Sequence, residues 1–341
     1  MNKLMPQWLQ RRQNAQDLCM EYLNLPIVDF ATLSQPDTLQ ALDSACRSWG
    51  AIRLVGHPLS ERLQSDAHTA MTSFFHQPLE AKKLVERTAD NPWGFYDHEL
   101  TRQARDWKEI YDCGPAGEGA VEPQWPATIP GFQSAVSNFY EACEHICFEV
   151  LAAMAQNLGT PTAQMQNCFR PEHTSFVRLN YYPLCKKPTF PEGDTAASEG
   201  YLGINPHTDA GAITVLMQDE QAGLEIYRQK QWHTVAGGSL LVHLGDIMQV
   251  WSNDRYRAPL HRVRASRHIE RFSAPFFFNP SYETQYQPLV STVDDQHPPL
   301  YTAIQWGEFR KQRASGDYAN YGEEIQISRF RTQSGSTRLT S

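Results

Sequence analysis

The segment Asn205-Pro206-His207-Thr208-Asp209 sets an imidazole and a carboxylate two residues apart. On an extended strand, positions i and i+2 point to the same face, so His207 and Asp209 can grip one ion from a single strand or its end. Taken alone, a His-x-Asp triplet is more often a surface turn. A second imidazole, His261, lies 52 residues beyond Asp209, at the start of the run HRVRA. Two imidazoles and one carboxylate cover one face of an octahedral Fe(II) and leave three positions open for a co-substrate and oxygen. Ten residues after His261, Arg271 and Ser273 again share a strand face. A guanidinium beside a hydroxyl makes a fork for a carboxylate. Arg264–Ser266 and Arg313–Ser315 repeat that spacing, but the first falls in the turn expected after His261 and the second on an expected helix, where i and i+2 diverge. Upstream, Arg178, Asn180 and Tyr182 line one side of a strand. The Asn amide and Tyr hydroxyl suit a bound carboxylate. Arg178 points the same way and either meets a substrate carboxylate or pairs with an acidic side chain.

These residues need strands to carry them, and the second half of the chain supplies the pattern. After Phe176, the runs FVRLNYYP, AITVLMQ, LEIYR, SLLVHLG, IMQVWS, HRVRA and RFSAPFFFN are short and rich in β-branched or aromatic residues, with turn signals between them. Seven or more such runs predict an antiparallel sandwich or barrel. The first half is mixed. A short strand at Pro26–Phe30, a helix through Leu39, Leu42, Cys46 and Trp49, and a strand at Ala51–Val55 are expected. A helical pattern over residues 60–86 breaks near Pro78, and Asp90–Pro130 reads as loop with short strands. Phe132, Val136, Phe139, Cys143, Ile146, Val150 and Met154 keep a three-to-four-residue step, which predicts a long helix stopping near Gly159. Helix returns at Trp306–Ala314.

The chain has 341 residues and a net charge of −8, from 30 basic and 38 acidic side chains. This acidic balance argues against nucleic acid as a partner. Seven scattered cysteines, none in a CxxC, fit reduced thiols in the cytoplasm. The N-terminus lacks a secretory h-region, and no apolar run is long enough for a membrane span, so no membrane association is expected. No feature points to an obligate protein partner.

With its flanking sequences, the ordered HxD–His–RxS series resembles the 2-oxoglutarate and Fe(II)-dependent dioxygenase superfamily, in its isopenicillin N synthase-like branch. The resemblance runs over about residues 24–300 and includes LPIVDF, WGAIRLVGHPL, DWKEIYD, RLNYYP, NPHTDAGAITVLMQD, AGLEI, LGDIMQVWSND, HRV and RFSAPFFFNP. It implies a mainly β fold with flanking helices: a double-stranded β-helix (jelly roll) core with an N-terminal α/β extension. The expected divisions are a lead-in over 1–24, a mixed region over 25–170 packed on the core, the jelly roll over 171–300, a helical segment over 301–331 and a flexible tail over 332–341.

Carried over residue by residue, the resemblance makes His207, Asp209 and His261 the iron ligands, and Arg271 and Ser273 the anchor for the distal carboxylate of 2-oxoglutarate. Asn180 and Tyr182 help to hold that co-substrate, and O2 is the oxidant. It places Phe277, Phe95 and Tyr96 against a small-molecule substrate, and Arg178, by its shared face with Asn180 and Tyr182, is the further candidate contact. The implied reaction oxidises an unactivated C–H, with hydroxylation favoured, and releases succinate and CO2. Desaturation, oxidative ring closure and a ferrous oxidase working without 2-oxoglutarate are the alternatives, with a catalytically silent jelly roll as a distant one. FFFNP and HTDAG resemble the microbial and fungal or algal side of the family, which implies specialised metabolism or amino-acid-like small molecules. Two departures stand out. His243 occupies a position before the Gly245-Asp246 turn where the family often has Asn, and Ala258-Pro259-Leu260 precedes His261 where Ser or Thr is usual. The segment Lys186–Gly200 reads as a lid or an ordinary exposed loop.

Overall fold

Side-chain alternation along one strand shows how the fold is layered. In Arg271–Phe278, the residues Phe272, Ala274, Phe276 and Phe278 enter the main hydrophobic core, while Arg271, Ser273, Pro275 and Phe277 face a cavity. A strand with apolar residues on both faces must be covered on both sides. A computed structural model of the chain describes residues 22–115, 121–317 and 324–333. It places this strand near the middle of an eight-stranded sheet ordered Ile27–Asp29, Ala51–Val55, Leu241–Leu244, Ile213–Gln218, Arg271–Phe278, Phe176–Tyr182, Glu109–Cys113 and Gly94–Tyr96. A second sheet, ordered Gln231–Thr234, Leu224–Arg228, His261–Val263 and Ile204–His207, packs on it. Leu216, Leu241 and Tyr182 of the first sheet and Leu224, Ile226 and Val263 of the second share one buried cluster. The result is the double-stranded β-helix that the resemblance implied.

The other face of the large sheet is covered by helices. Phe132–Asn157 buries Phe132, Val136, Phe139, Cys143, Ile146, Val150 and Met154, the stripe expected from the sequence. Its rings meet the sheet directly: Tyr140 lies 4.9 Å from Phe276 and Phe148 4.9 Å from Phe278, centroid to centroid and edge-on. Gly159, at φ +69°, provides the left-handed step that ends it. Cys143 and Cys147 are fully buried packing residues on this helix. The helices Pro36–Ser48 and Glu61–Phe75 complete the layer.

Several expectations change. Four of the eight strands in the large sheet come from before residue 171, so the N-terminal region extends the sheet as well as packing on it. The run IMQVWS, expected as a strand, forms the helix Asp246–Trp251 with Asp246, Ile247, Met248, Val250 and Trp251 all buried. A short, largely buried apolar run has too little alternation to separate strand from helix. The strand Gln231–Thr234 had no clear sequence signal. The lead-in and the tail fall almost entirely outside the described residues. Among the described residues, no helix is long and apolar enough to cross a membrane.

Candidate metal centre

His207 ends its strand directly opposite His261, the first residue of the neighbouring antiparallel strand. Opposed residues of such a pair share a face, which brings the two ring centroids to 4.3 Å. Asp209 follows in the turn after His207. One ligand atom from each of His207, Asp209 and His261 lies within 4.8 Å of the others. The His207 and His261 Nε2 atoms stand 3.6 and 3.7 Å from Asp209 Oδ1.

The remaining atoms of the triad are already engaged. His207 Nδ1 donates to the Asn205 carbonyl at 2.8 Å and His261 Nδ1 to the Pro259 carbonyl at 3.0 Å. A carbonyl only accepts, so each ring keeps its proton on Nδ1 and presents an Nε2 lone pair. The Thr214 hydroxyl donates to Asp209 Oδ2 at 2.6 Å and leaves Oδ1 facing the rings. Burial, and then the charge His261 would carry, push the His207 pKa well below its ordinary value. Burial works to raise the Asp209 carboxyl, but His261, His207, His243 and the Thr214 hydroxyl together outweigh it and hold its pKa low. A neutral imidazole and an ionised carboxylate are the protonation states that bind metal. The donor set therefore fits a divalent first-row ion.

Beside the triad, Arg271 pairs across the sheet with Tyr182, and Ser273 with Asn180. All four are buried. Asn180 Nδ2 donates to Ser273 Oγ at 3.4 Å, and the Tyr182 and Ser273 hydroxyls lie 3.3 Å apart. Arg271 is held by the Gln221 carbonyl at 3.1 Å from Nε and by Gln218 Oε1 at 2.8 Å from Nη2. Its Nη1 is buried without a partner, as is Asn180 Oδ1. A buried cation with an unused donor is expensive unless an anion completes it. This corner fits a carboxylate.

The triad and Arg271 open on one cavity of about 400 Å³ between the sheets. Phe277 lines it, with its ring 4.8 Å from Phe176. Arg178 lines it too, with three of its nitrogens committed: Nε and Nη2 each donate to Asp112 at 2.8 Å, and Nη1 to Glu99 at 2.7 Å. Lys108 pairs with Glu99 at 2.7 Å and Asp106 at 3.1 Å. Burial opposes the Glu99 charge, but the neighbouring Arg178 and Lys108 cations hold its pKa well below the usual carboxylate range. Phe95 and Tyr96 are outside the lining. Phe95 is directed by strand alternation into the core, with its ring 6.2 Å from that of Phe74, and Tyr96 packs under the Arg87 guanidinium. Lys186–Gly200 is pinned at several points, with the Pro191 carbonyl accepting from Arg262 and the Gly193 carbonyl from Trp232.

Sequence reasoning missed Thr214 and Gln218, which orient Asp209 and Arg271. Their signal was available, because both lie on one face of the run AITVLMQ. It set His243 aside as a ligand. His243 does lie outside the triad, on the cavity wall with its ring 5.1 Å from that of His261, and burial lowers its pKa to about 3.

Known proteins are similar to this chain over most of its length. Residues 173–280 match the family model described as the 2OG-Fe(II) oxygenase superfamily, and residues 25–130 match that of the non-haem dioxygenase in morphine synthesis N-terminal region. Gibberellin 2-beta-dioxygenase 5 of Oryza sativa subsp. japonica is 30% identical over 322 residues, covering 91% of this chain and 88% of that protein. Jasmonate-induced oxygenase 2 of Arabidopsis thaliana is 28% identical over 84% of this chain and 78% of its own length. A crystal structure of JOX2 in complex with 2OG, Fe and JA superposes with a TM-score of 0.78 at 25% identity, covering 94% of this chain and 92% of that one. A full-length Neurospora crassa protein crystallised in complex with alpha-KG and thymine, at 24% identity and a TM-score of 0.75, covers 87% of this chain and 98% of its own and shares the fold.

Proposed function

This chain belongs to the 2OG-Fe(II) oxygenase superfamily, and on that premise we propose that His207, Asp209 and His261 hold its iron while Arg271, Ser273, Asn180 and Tyr182 hold 2-oxoglutarate. The reaction is oxidation by O2 with Fe(II) and 2-oxoglutarate, the chemistry of the family. In our reading the enzyme hydroxylates an unactivated C–H of a small molecule in specialised metabolism. One observation carries the site assignment: two Nε2 lone pairs and Asp209 Oδ1 converge, with every other atom of the triad engaged, beside the partnerless Arg271 Nη1.

Held by His207, Asp209 and His261, Fe(II) would supply the activation of O2, coupled to oxidative loss of CO2 from 2-oxoglutarate to give succinate. The protein's part is positional. The Nδ1–carbonyl bonds fix both rings, and the Thr214 hydroxyl fixes the Asp209 carboxylate. Arg271 neutralises the far carboxylate inside a wall where Leu216, Leu224 and Val263 help to exclude water. A cavity of this size suits a small molecule. Phe176 and Phe277 offer it an apolar surface. Among the ionic groups near them, Arg87, Lys108 and Arg178 balance Glu99, Asp106 and Asp112. That balance favours a substrate uncharged at this end. The six free thiols among the described residues support a cytoplasmic setting.

Because Arg178 is fully engaged by two carboxylates, we assign it to the wall. Replacing it with Met leaves Asp112 with Arg87 and Glu99 with Lys108 as their remaining cations, and is expected to destabilise the protein by about 3 kcal/mol, the lower end of the usual penalty for breaking a buried ion pair. Thermal unfolding measures this. Unchanged stability with lost substrate affinity would instead return Arg178 to substrate binding. The function itself is tested by incubating the iron-loaded enzyme with 2-oxoglutarate, O2 and fractionated metabolite extracts. The expected result is oxygen-dependent succinate formation, matched by a product about 16 mass units heavier, the mass of one oxygen atom. Products two hydrogens lighter would point to desaturation or ring closure.

A further inference from the structure

Thr208 and Asp209 lie just outside the strand ladder, so hydrogen bonds along the sheet do not set their orientation. The helix Trp306–Asp317 supplies other bonds. Its Arg313, buried at 4% exposure, donates from Nη2 to the Thr208 carbonyl at 2.7 Å and from Nη1 to Asp246 Oδ2 at 2.9 Å. Glu324 Oε1 lies 3.5 Å from the same Nη2. Asp246 returns to the turn by its backbone, donating its N–H to the Asp209 carbonyl at 2.7 Å, and Ile247 donates to the Gly211 carbonyl at 3.1 Å. The contact is tight: a Cβ on Gly245 would sit 2.1 Å from the Gly211 oxygen and 3.0 Å from that of Asp209. Successive carbonyls on either side of the Asp209 side chain are thus held from one guanidinium and one helix start. Both segments matched by family models end before residue 281, so the Arg313 helix lies outside them.

We propose that Arg313 is a positioning residue for the metal centre, holding the turn between His207 and Asp209 in its ligating shape before the metal arrives. This rests on the reading of His207, Asp209 and His261 as the iron ligands. A planar fork can hold the Thr208 carbonyl and the Asp246 carboxylate together, whereas an ammonium on a flexible stem cannot match that geometry. The bridge reduces the freedom the turn loses on binding, so its removal appears in metal affinity.

The test uses the full-length, metal-free protein and Co(II), whose visible absorption reports its ligand geometry. Arg313→Met is expected to weaken Co(II) binding by about 10–100-fold, the usual effect of removing a group that supports a metal ligand, and to alter the Co(II) spectrum. Amide hydrogen exchange at Asp209, Ala210 and Gly211 should rise in the metal-free variant. Arg313→Lys should fall between Met and wild type, and Asp246→Asn should shift affinity in the same direction, which covers the case in which Arg313→Met does not fold. Val136→Ala is the control, because Val136 is a buried core residue on the helix Phe132–Asn157 and does not line the cavity. It should lower the unfolding temperature and leave Co(II) affinity unchanged. Wild-type affinity and exchange in the Arg313 variants would overturn the proposal, as would an equal loss of affinity in Val136→Ala. His207→Ala separates the two readings: if it binds Co(II) like wild type, the ligand assignment has failed, whatever Arg313 does.

Discussion

Asp209→Ala is expected to lose metal binding by at least about a thousandfold and to have no measurable turnover. Groups that merely support a ligand contribute about 10–100-fold, and this substitution removes a ligand together with the only negative charge among the three. The two imidazoles stay in place, because their Nδ1 bonds go to the Asn205 and Pro259 carbonyls and do not involve Asp209. Asp209→Asn keeps an oxygen of the same reach without the charge and should fall between Ala and wild type. Calorimetric titration of the metal-free protein with Co(II) measures both. The fold should survive, because Asp209 sits in a turn and its side-chain hydrogen bond is to Thr214 alone. Wild-type affinity in Asp209→Ala would remove the basis for placing iron here.

Arg271→Leu acts on the other half of the site. Truncating one side of a buried charge pair costs about 2–5 kcal/mol, which is roughly 30- to 5,000-fold in the dissociation constant for 2-oxoglutarate. Co(II) affinity should not change, since the hydrogen bonds of Arg271 go to Gln218 and Gln221 and to no residue of the triad. Arg271→Lys restores the charge without the fork and should recover part of the loss. The two variants therefore fail in separable ways, one in metal binding and the other in co-substrate binding. Full activity in Arg271→Leu, or turnover by the wild type without added 2-oxoglutarate, would favour a ferrous oxidase that does not use this co-substrate.

Much of the site was legible because a strand has a period of two. His-x-Asp, Arg-x-Ser and the Arg178, Asn180, Tyr182 series each state locally which side chains share a face, and all of these residues line one cavity. The long helix was legible for a similar reason, since its apolar step over Phe132–Met154 matches its turn. Local periodicity also explains the errors. Phe95 and Tyr96 were expected at the substrate as neighbours, yet adjacent strand residues face opposite ways, and neither lines the cavity. In IMQVWS every position but Gln249 is apolar or buried, so no period was available to distinguish the helix that forms.

The sequence alone determined the kind of candidate site: two imidazoles, a carboxylate and an arginine beside a serine, carried by strands whose alternation points them inward. Tertiary structure decided which neighbours they meet. The pairing of His207 with His261 depends on two strands 54 residues apart lying side by side. The commitment of Arg178 to Asp112 and Glu99 depends on Glu109–Cys113 adding to the edge of Phe176–Tyr182. The hold of Arg313 on Thr208 depends on a helix more than a hundred residues further along the chain. Which residues share a face follows from backbone geometry within a few residues. Which faces meet is settled by packing of the whole chain, where burying a charge is tolerable only if its partner arrives from elsewhere.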